Sequence, residues 1–230
     1  LLGWIRRERA ARGTVFGLHE DLFCDDLRGR PLALERRGQR LESPVGVAAG
    51  PHTQLSHNLV AAWLCGARFL ELKTVQALDD LDIPRPCIDM ADAGYNCEWS
   101  QELPITVSGD QYLDAWVAIG LLQLAAGAHD PRSPGFVMDL SVGYDLAGVR
   151  SAKVQGCLDR LTVNAREEIA SRLARAEAVW PGARALEAPA AVADSVTLST
   201  MHGCPPDEIE RIARFLLEER GLHTTVKLNP

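Results

Sequence analysis

The chain has 230 residues, 47% of them hydrophobic, enough for one sizeable core. Its formal charge of −7, with 24 Lys and Arg against 31 Asp and Glu, argues against nucleic acid as a partner, since phosphate binding needs clustered cations. No apolar run approaches the roughly 20 residues of a membrane span, and the opening Leu1-Leu2-Gly3-Trp4-Ile5 turns charged at Arg6, Arg7 and Glu8, unlike a signal peptide. A cytoplasmic protein is therefore expected. The six cysteines, 24, 65, 87, 97, 157 and 204, form no Cys-x-x-Cys pair, so neither a zinc ribbon nor an iron–sulfur cluster is expected in this stretch, and they read as reduced thiols.

Residues 1–43 are charged and irregular, with a short helix near Leu2–Arg12, and read as a lead-in segment to a domain over 44–230. A rhythm then begins. Pro44–Gly50 is a short apolar run, a buried strand, followed by an amphipathic helix over Leu55–Cys65 and a second strand over Ala67–Thr74. Residues 75–107 show no clear element and are longer than an ordinary connection, which marks them as a candidate functional loop. Ser108–Gly127 reads as a helix, with Ser108 and Gln111 as a capping box. Phe136–Val142 is a third strand, with helices near Lys153–Val163 and Ala165–Trp180 and an Ala/Pro-rich surface linker at 181–193. Ser195–Thr200 is a fourth strand. Pro205-Pro206-Asp207-Glu208 opens a helix to Arg220, and residues 224–229 form a fifth strand, with further sequence expected after Pro230.

Strands alternating with helices imply parallel βαβ units, either a doubly wound sheet or part of a (β/α)8 barrel. In a barrel the chemistry gathers at the C-terminal ends of the strands. The first strand ends in the small residues Ala48, Ala49 and Gly50, which let a flat ring approach the backbone or simply make a tight turn. Lys73 near the end of the second strand and Lys227 in the fifth are lysines in apolar surroundings, costly unless paired or facing a ligand. Both are predicted to point into the barrel mouth and converge on an anionic or electron-rich ligand. The plain alternative for Lys73 is a salt bridge, with Glu71 as one partner.

After the fourth strand, Ser199–Pro206 is dense in proton-handling groups. His202 titrates near neutrality. Cys204 is placed by its sequence at a helix start, where the dipole would lower a thiol pKa; it serves either as a general acid or as a small packed residue. Two such residues do not make a metal site. In the long loop, Asn96 pairs with a heterocycle's edge or forms an Asx turn. His52 is a possible pocket residue and His57 a surface one.

These stretches carry a resemblance. Pro-Val-Gly-x-Ala-Ala-Gly, Glu-Leu-Lys-Thr, Asn-x-Glu-Trp-Ser, Leu-Ser-x-x-His-Gly-Cys-Pro and Val-Lys-Leu-x-Pro follow one another in an order similar to the FMN domain of dihydroorotate and dihydropyrimidine dehydrogenases. They resemble more closely still the selenate reductase subunit family of the YgfK type, from about residue 15 to the end. The resemblance implies an incomplete FMN-linked TIM barrel with about five of the eight strands. It implies flavin contacts at Ala48, Ala49, Gly50, Lys73, Thr74 and Lys227, substrate contacts at Asn96 and Ser199, and a proton donor at Cys204 or His202. Ser199 stands where the dehydrogenases carry Asn, and the Cys-Pro at 204–205 lies two residues later than in that family.

The implied function is passage of hydride from reduced FMN to a small oxidised substrate, selenate or a purine- or pyrimidine-like heterocycle. The family's phosphate site lies on later strands, and its FAD and iron–sulfur parts lie outside this chain, so the partners are a small-molecule substrate and the rest of the polypeptide or reductase complex. This stretch alone is expected to be inactive. The competing reading is a non-catalytic barrel that serves as scaffold or docking subunit.

Overall fold

The structure is a computed structural model; it describes residues 1–27, 30–78, 103–131, 133–200 and 203–228 in full, and residues 88–89 and 96–97 by their backbone alone. Five parallel strands form the central sheet: β1 (Gly46–Val47), β2 (Phe69–Glu71), β3 (Val137–Val142), β4 (Ser195–Ser199) and β5 (His223–Lys227). Their spatial order is β1-β2-β3-β4-β5, the order of the sequence. A doubly wound sheet reverses its strand order at a switch point, whereas a barrel adds each strand beside the last. The sheet is therefore the first part of a TIM barrel, and among the described residues it does not close.

The helices are α1 (Leu2–Arg12), α2 (Ser56–Leu64), α3 (Ile105–Ala125), α4 (Leu146–Val149), α5 (Ala152–Thr162), α6 (Ala165–Ala176) and α7 (Ile209–Arg214). Register partners in the ladder place Leu70, Met138, Leu140, Val142, Val196 and Leu198 on the outer face, and Leu72 follows that alternation. All seven join the core with Trp63, Leu113, Ile119, Leu158 and Ile212 from the helices. Full burial of such a side chain contributes about 1.5–3 kcal/mol, so this layer holds the helices to the sheet.

The inner face is different. Glu71, Asp139, Ser141, Ser195, Thr197, Ser199 and Lys227 lie on it by register, where a barrel interior is ordinarily filled by Val, Ile and Leu. Lys227 Nζ lies 3.1 Å from both carboxylate oxygens of Glu71. In a flat sheet β2 and β5 would stand three strand spacings of about 4.8 Å apart. Curling of the sheet brings the two side chains together across β3 and β4.

The lead-in segment is fastened to the barrel. Ile5 and Val15 belong to the common core. Arg68, fully buried, bonds Glu42 Oε2 at 2.9 Å, the Trp63 carbonyl at 2.9 Å, the Ala67 carbonyl at 3.1 Å and the Cys24 carbonyl. One side chain thus joins residues 24 and 42 of the lead-in to the start of β2.

Several expectations need correction. Helix α3 begins at Ile105 after Pro104, not at Ser108, and Ser108 is fully buried within it. Gln111 does not cap its own helix; its Oε1 accepts from the Ser56 amide at 2.9 Å and hydroxyl at 2.8 Å, serving the free donors at the start of α2. Residues 181–193 run largely along the surface as expected, but are anchored by buried Ala183 and Leu186, the latter so close to Gly120 of α3 that a Cβ there would lie 2.7 Å from Leu186 Cδ2. The helix expected to Arg220 opens instead with a 3-10 turn at Pro206–Glu208 and ends in a π turn at Phe215–Glu219. His57 is not a bare surface residue: its ring packs 5.9 Å from Phe16 and 6.2 Å from Trp4.

Candidate active site

The C-terminal ends of the five strands gather one set of polar groups. At the end of β1, Ala48 is exposed, and the Ala49 amide donates to Glu71 Oε2 at 3.0 Å. The Gly50 amide donates to Thr53 Oγ1 at 3.1 Å, and that hydroxyl returns a bond to the Gly50 carbonyl. The small-residue turn is thus held from behind, with Ala49 and Gly50 half-buried.

The end of β2 carries a bulge. The Leu72 amide bonds the Asp139 carbonyl, but it is the Val75 amide, not that of residue 74, that bonds the Ser141 carbonyl, both at 2.9 Å. One residue too many therefore faces β3, and Lys73 and Thr74 together oppose Ser141. The Thr74 hydroxyl pairs with that of Ser141 at 2.9 Å, and Tyr112 of α3 donates to the Lys73 carbonyl at 2.9 Å. Lys73 is buried, with its charge close enough to His52 to help depress that imidazole's pKa. Burial is the main cause of the depression, opposed by a hydrogen bond with the Ala48 backbone.

Lys227, the last residue of β5, points into the barrel as expected, but its partner is Glu71, which had been considered for Lys73. Ser199 is its register partner on β4, and Thr200 Oγ1 donates to the Lys227 carbonyl at 2.8 Å. The two cationic residues both lie at the strand ends: Lys227 on the inner face and Lys73 in the bulge beside the β1 turn.

Cys204 corrects a chemical expectation. Its thiol pKa is pushed up, first by burial and then by the nearby carboxylate of Glu208. The helix opens with the 3-10 turn Pro206–Glu208, with only Pro205 between it and Cys204, and burial with the Glu208 carboxylate pushes the thiol pKa up there. His202 lies outside the described residues. So does the side chain of Asn96, whose backbone pairs with Asp89 in a short antiparallel ribbon.

Two residues went unnoticed in the sequence. Tyr144, just beyond β3, holds φ at 109°, an unusual conformation for a residue with a side chain. Its ring is wedged between two glycines: a Cβ on Gly203 would lie 2.7 Å from it, and one on Gly148 2.5 Å. Tyr144 thereby braces the loop that leads to Cys204. Asp139 is fully buried in the middle of the inner face, accepting from the Ser195 hydroxyl and, at 2.6 Å, from that of Thr197. An acid inside the apolar run Phe136–Val142 is the same kind of signal as the two lysines and could have been read the same way.

Burial pushes the Asp139 carboxyl up, against the lowering effect of the Ser195 and Thr197 hydroxyls and of Arg36. A pKa raised in the folded state means that folding favours the proton. The stabilisation is complete below the unfolded value and is lost as pH rises through the folded one. Asp139→Asn should therefore leave stability unchanged in acid and raise it at pH 7, read by thermal unfolding at the two pH values. A loss at pH 7 would show that the two hydroxyl bonds to the carboxylate outweigh the burial.

A sequential parallel sheet with charged and hydroxyl groups at its C-terminal rim defines the chain as part of a TIM-barrel domain. Residues 16–230 match the family described as oxidoreductase YgfK, N-terminal TIM-barrel domain, and the chain belongs to that family. It is 41% identical over 248 aligned positions to "Putative oxidoreductase YgfK" of Escherichia coli K12, and equally to its counterpart in E. coli O157:H7, with 100% of this chain covered. It spans 24% of the length of those relatives. A solved structure, the ligand-free dihydroorotate dehydrogenase of Eimeria tenella, superimposes with a TM-score of 0.42 at 14% identity, over 86% of this chain and 61% of that one. A superposition so loose adds nothing to the family assignment. Among the described residues, no helix is long and apolar enough to cross a membrane, and no group of three or more His, Cys, Asp or Glu could hold a metal ion.

Proposed function

We propose that this domain is the FMN-binding part of an oxidoreductase and that its rim delivers reducing equivalents to a small oxidised substrate. The observation that carries the reading is the meeting of the Ala49 amide, Glu71 and Lys227 at the rim, next to a turn of small residues. That donor set fits the group: a flat ring needs small residues to lie against, and an electron-accepting ring needs a cation near the atoms that gain charge. Ala48, Ala49 and Gly50 would give it a backbone surface, Lys227 the cation, and Lys73 and Thr74 further polar contacts. The flavin would supply hydride chemistry when bound.

The chain's own groups do the remainder. Ser199 and Asn96 contact the substrate, Cys204 or His202 holds the proton that the substrate receives, and Tyr144 keeps the Cys204 loop in place. FAD and iron–sulfur centres in the rest of the polypeptide would bring the electrons. The 230-residue chain alone should hold FMN poorly, because strands that complete the barrel would also complete the site.

The test is the full-length protein. It should purify yellow, and acid denaturation should release FMN, identified by mass, in stoichiometric amount. Lys227→Met should weaken FMN retention without unfolding the protein. A folded full-length protein that holds no FMN would sink the reading and favour a scaffold for partner subunits.

A further inference from the structure

We propose that Glu71 is a positioning residue that tunes the redox behaviour of the site through Lys227, an inference that rests on the flavin reading above. Glu71 closes β2 and is 7% exposed. Its Oε2 accepts the Ala49 amide at 3.0 Å, and both oxygens lie 3.1 Å from Lys227 Nζ. One carboxylate thus joins β1, β2 and β5. It draws the first turn's amide inward, and it holds the lysine's charge against an equal and opposite one. The Lys227 side chain remains 36% exposed.

The consequence follows from charge. Two electrons and one proton convert an oxidised flavin to its anionic reduced form, so the site gains one negative charge. A lone lysine beside the ring would favour that gain strongly. A lysine neutralised by a carboxylate favours it less, and in a site shielded from water the difference is substantial. Glu71 therefore holds the potential below the value that Lys227 alone would set. It does so without touching the ring, through the position and net charge of the lysine.

The experiment uses full-length protein, with the FMN potential read spectroscopically during titration with dithionite and the affinity for oxidised FMN read by fluorescence quenching. Glu71→Gln should raise the preference for reduced over oxidised FMN about tenfold, or about 30 mV for a two-electron couple. Glu71→Asp, whose shorter side chain retreats from Lys227, should move the potential part of the way, and this variant decides the matter if the glutamine one does not fold. Lys227→Met should lower the potential, and Glu71→Gln added to it should bring a smaller rise than in the wild-type background, because only the carboxylate's own field, and no longer its hold on the lysine, is then lost. If the potential is unmoved by either Glu71 substitution while FMN stays bound, Glu71 is only a brace and the proposal is overturned. If the wild-type protein binds no FMN at all, the flavin reading falls and takes this inference with it.

Discussion

Arg68→Ala should destabilise the barrel by about 3–5 kcal/mol, the range for breaking a buried ion pair by removing one partner. Glu42, 6% exposed, would be left with an uncompensated charge. The carbonyls of Trp63, Ala67 and Cys24 would each lose a hydrogen bond as well, the Trp63 carbonyl keeping the one from the Gly66 amide. The guanidinium also lies over the Trp63 ring, 4.9 Å from its centre, so packing is lost with the charge. Replacing both charged partners by Met separates these contributions. If ion pairing dominated, the double variant would regain wild-type stability, since apolar replacements of buried pairs are often neutral. The three carbonyls predict otherwise: the double variant should recover less than half of the loss. Hydrogen exchange of peptides covering α2 and β2 in the full-length protein reads both. Exchange in Arg68→Ala no faster than in wild type would show that the lead-in segment is held by its apolar contacts alone.

The order of the elements was legible because it rests on patterns that local sequence carries. Short apolar and β-branched runs gave all five strands to within a few residues, and α2, α5 and the start of α6 fell where their periodicity put them. What the sequence could not show depends on how elements meet. Lys227 announced itself as a charge in an apolar strand, but its partner did not, because Glu71 is 156 residues away and only the curl of the sheet joins them. The bulge at Lys73 and Thr74 leaves no local trace, since an extra residue in one strand is visible only against the ladder of the next. Gln111 looked like its own helix's cap because spacing alone cannot show that Ser56 stands nearer. Tyr144 had a faint signal in Gly143-Tyr144-Asp145 at a strand end. Its importance lies in its ring, against which Gly148 packs from the turn just after it and Gly203 from a distant part of the chain.

Cys204→Ala should slow substrate reduction by about a hundredfold or more, the scale for losing a general acid, while reduction of the flavin itself stays fast. The structure alters the reason. A stabilised thiolate would be a ready nucleophile and a poor store of protons at neutral pH. Cys204 is instead 8% exposed, with its pKa pushed up by burial and by Glu208. As the proposed donor it would keep its proton across the neutral range and release it only to a substrate atom that becomes strongly basic as hydride arrives. The pH profile carries the sign. A donor must be protonated, so kcat/KM is flat below its pKa and falls above it. For Cys204 the fall should begin above the ordinary thiol value of about 8.5, whereas an ordinary imidazole donor would bring it on near 6.5. Glu208→Gln removes the carboxylate that helps raise the thiol pKa, so it should move the fall to lower pH while leaving the neutral-pH rate largely intact. Stopped-flow reoxidation of the reduced full-length protein by an identified substrate, followed across pH 5 to 10, measures all three variants. A profile that already falls near 6.5 and a normal rate in Cys204→Ala would together move the role to His202. An unchanged rate in both Cys204→Ala and His202→Ala would make the loop structural, held by Tyr144 for the sake of the barrel rather than for proton transfer.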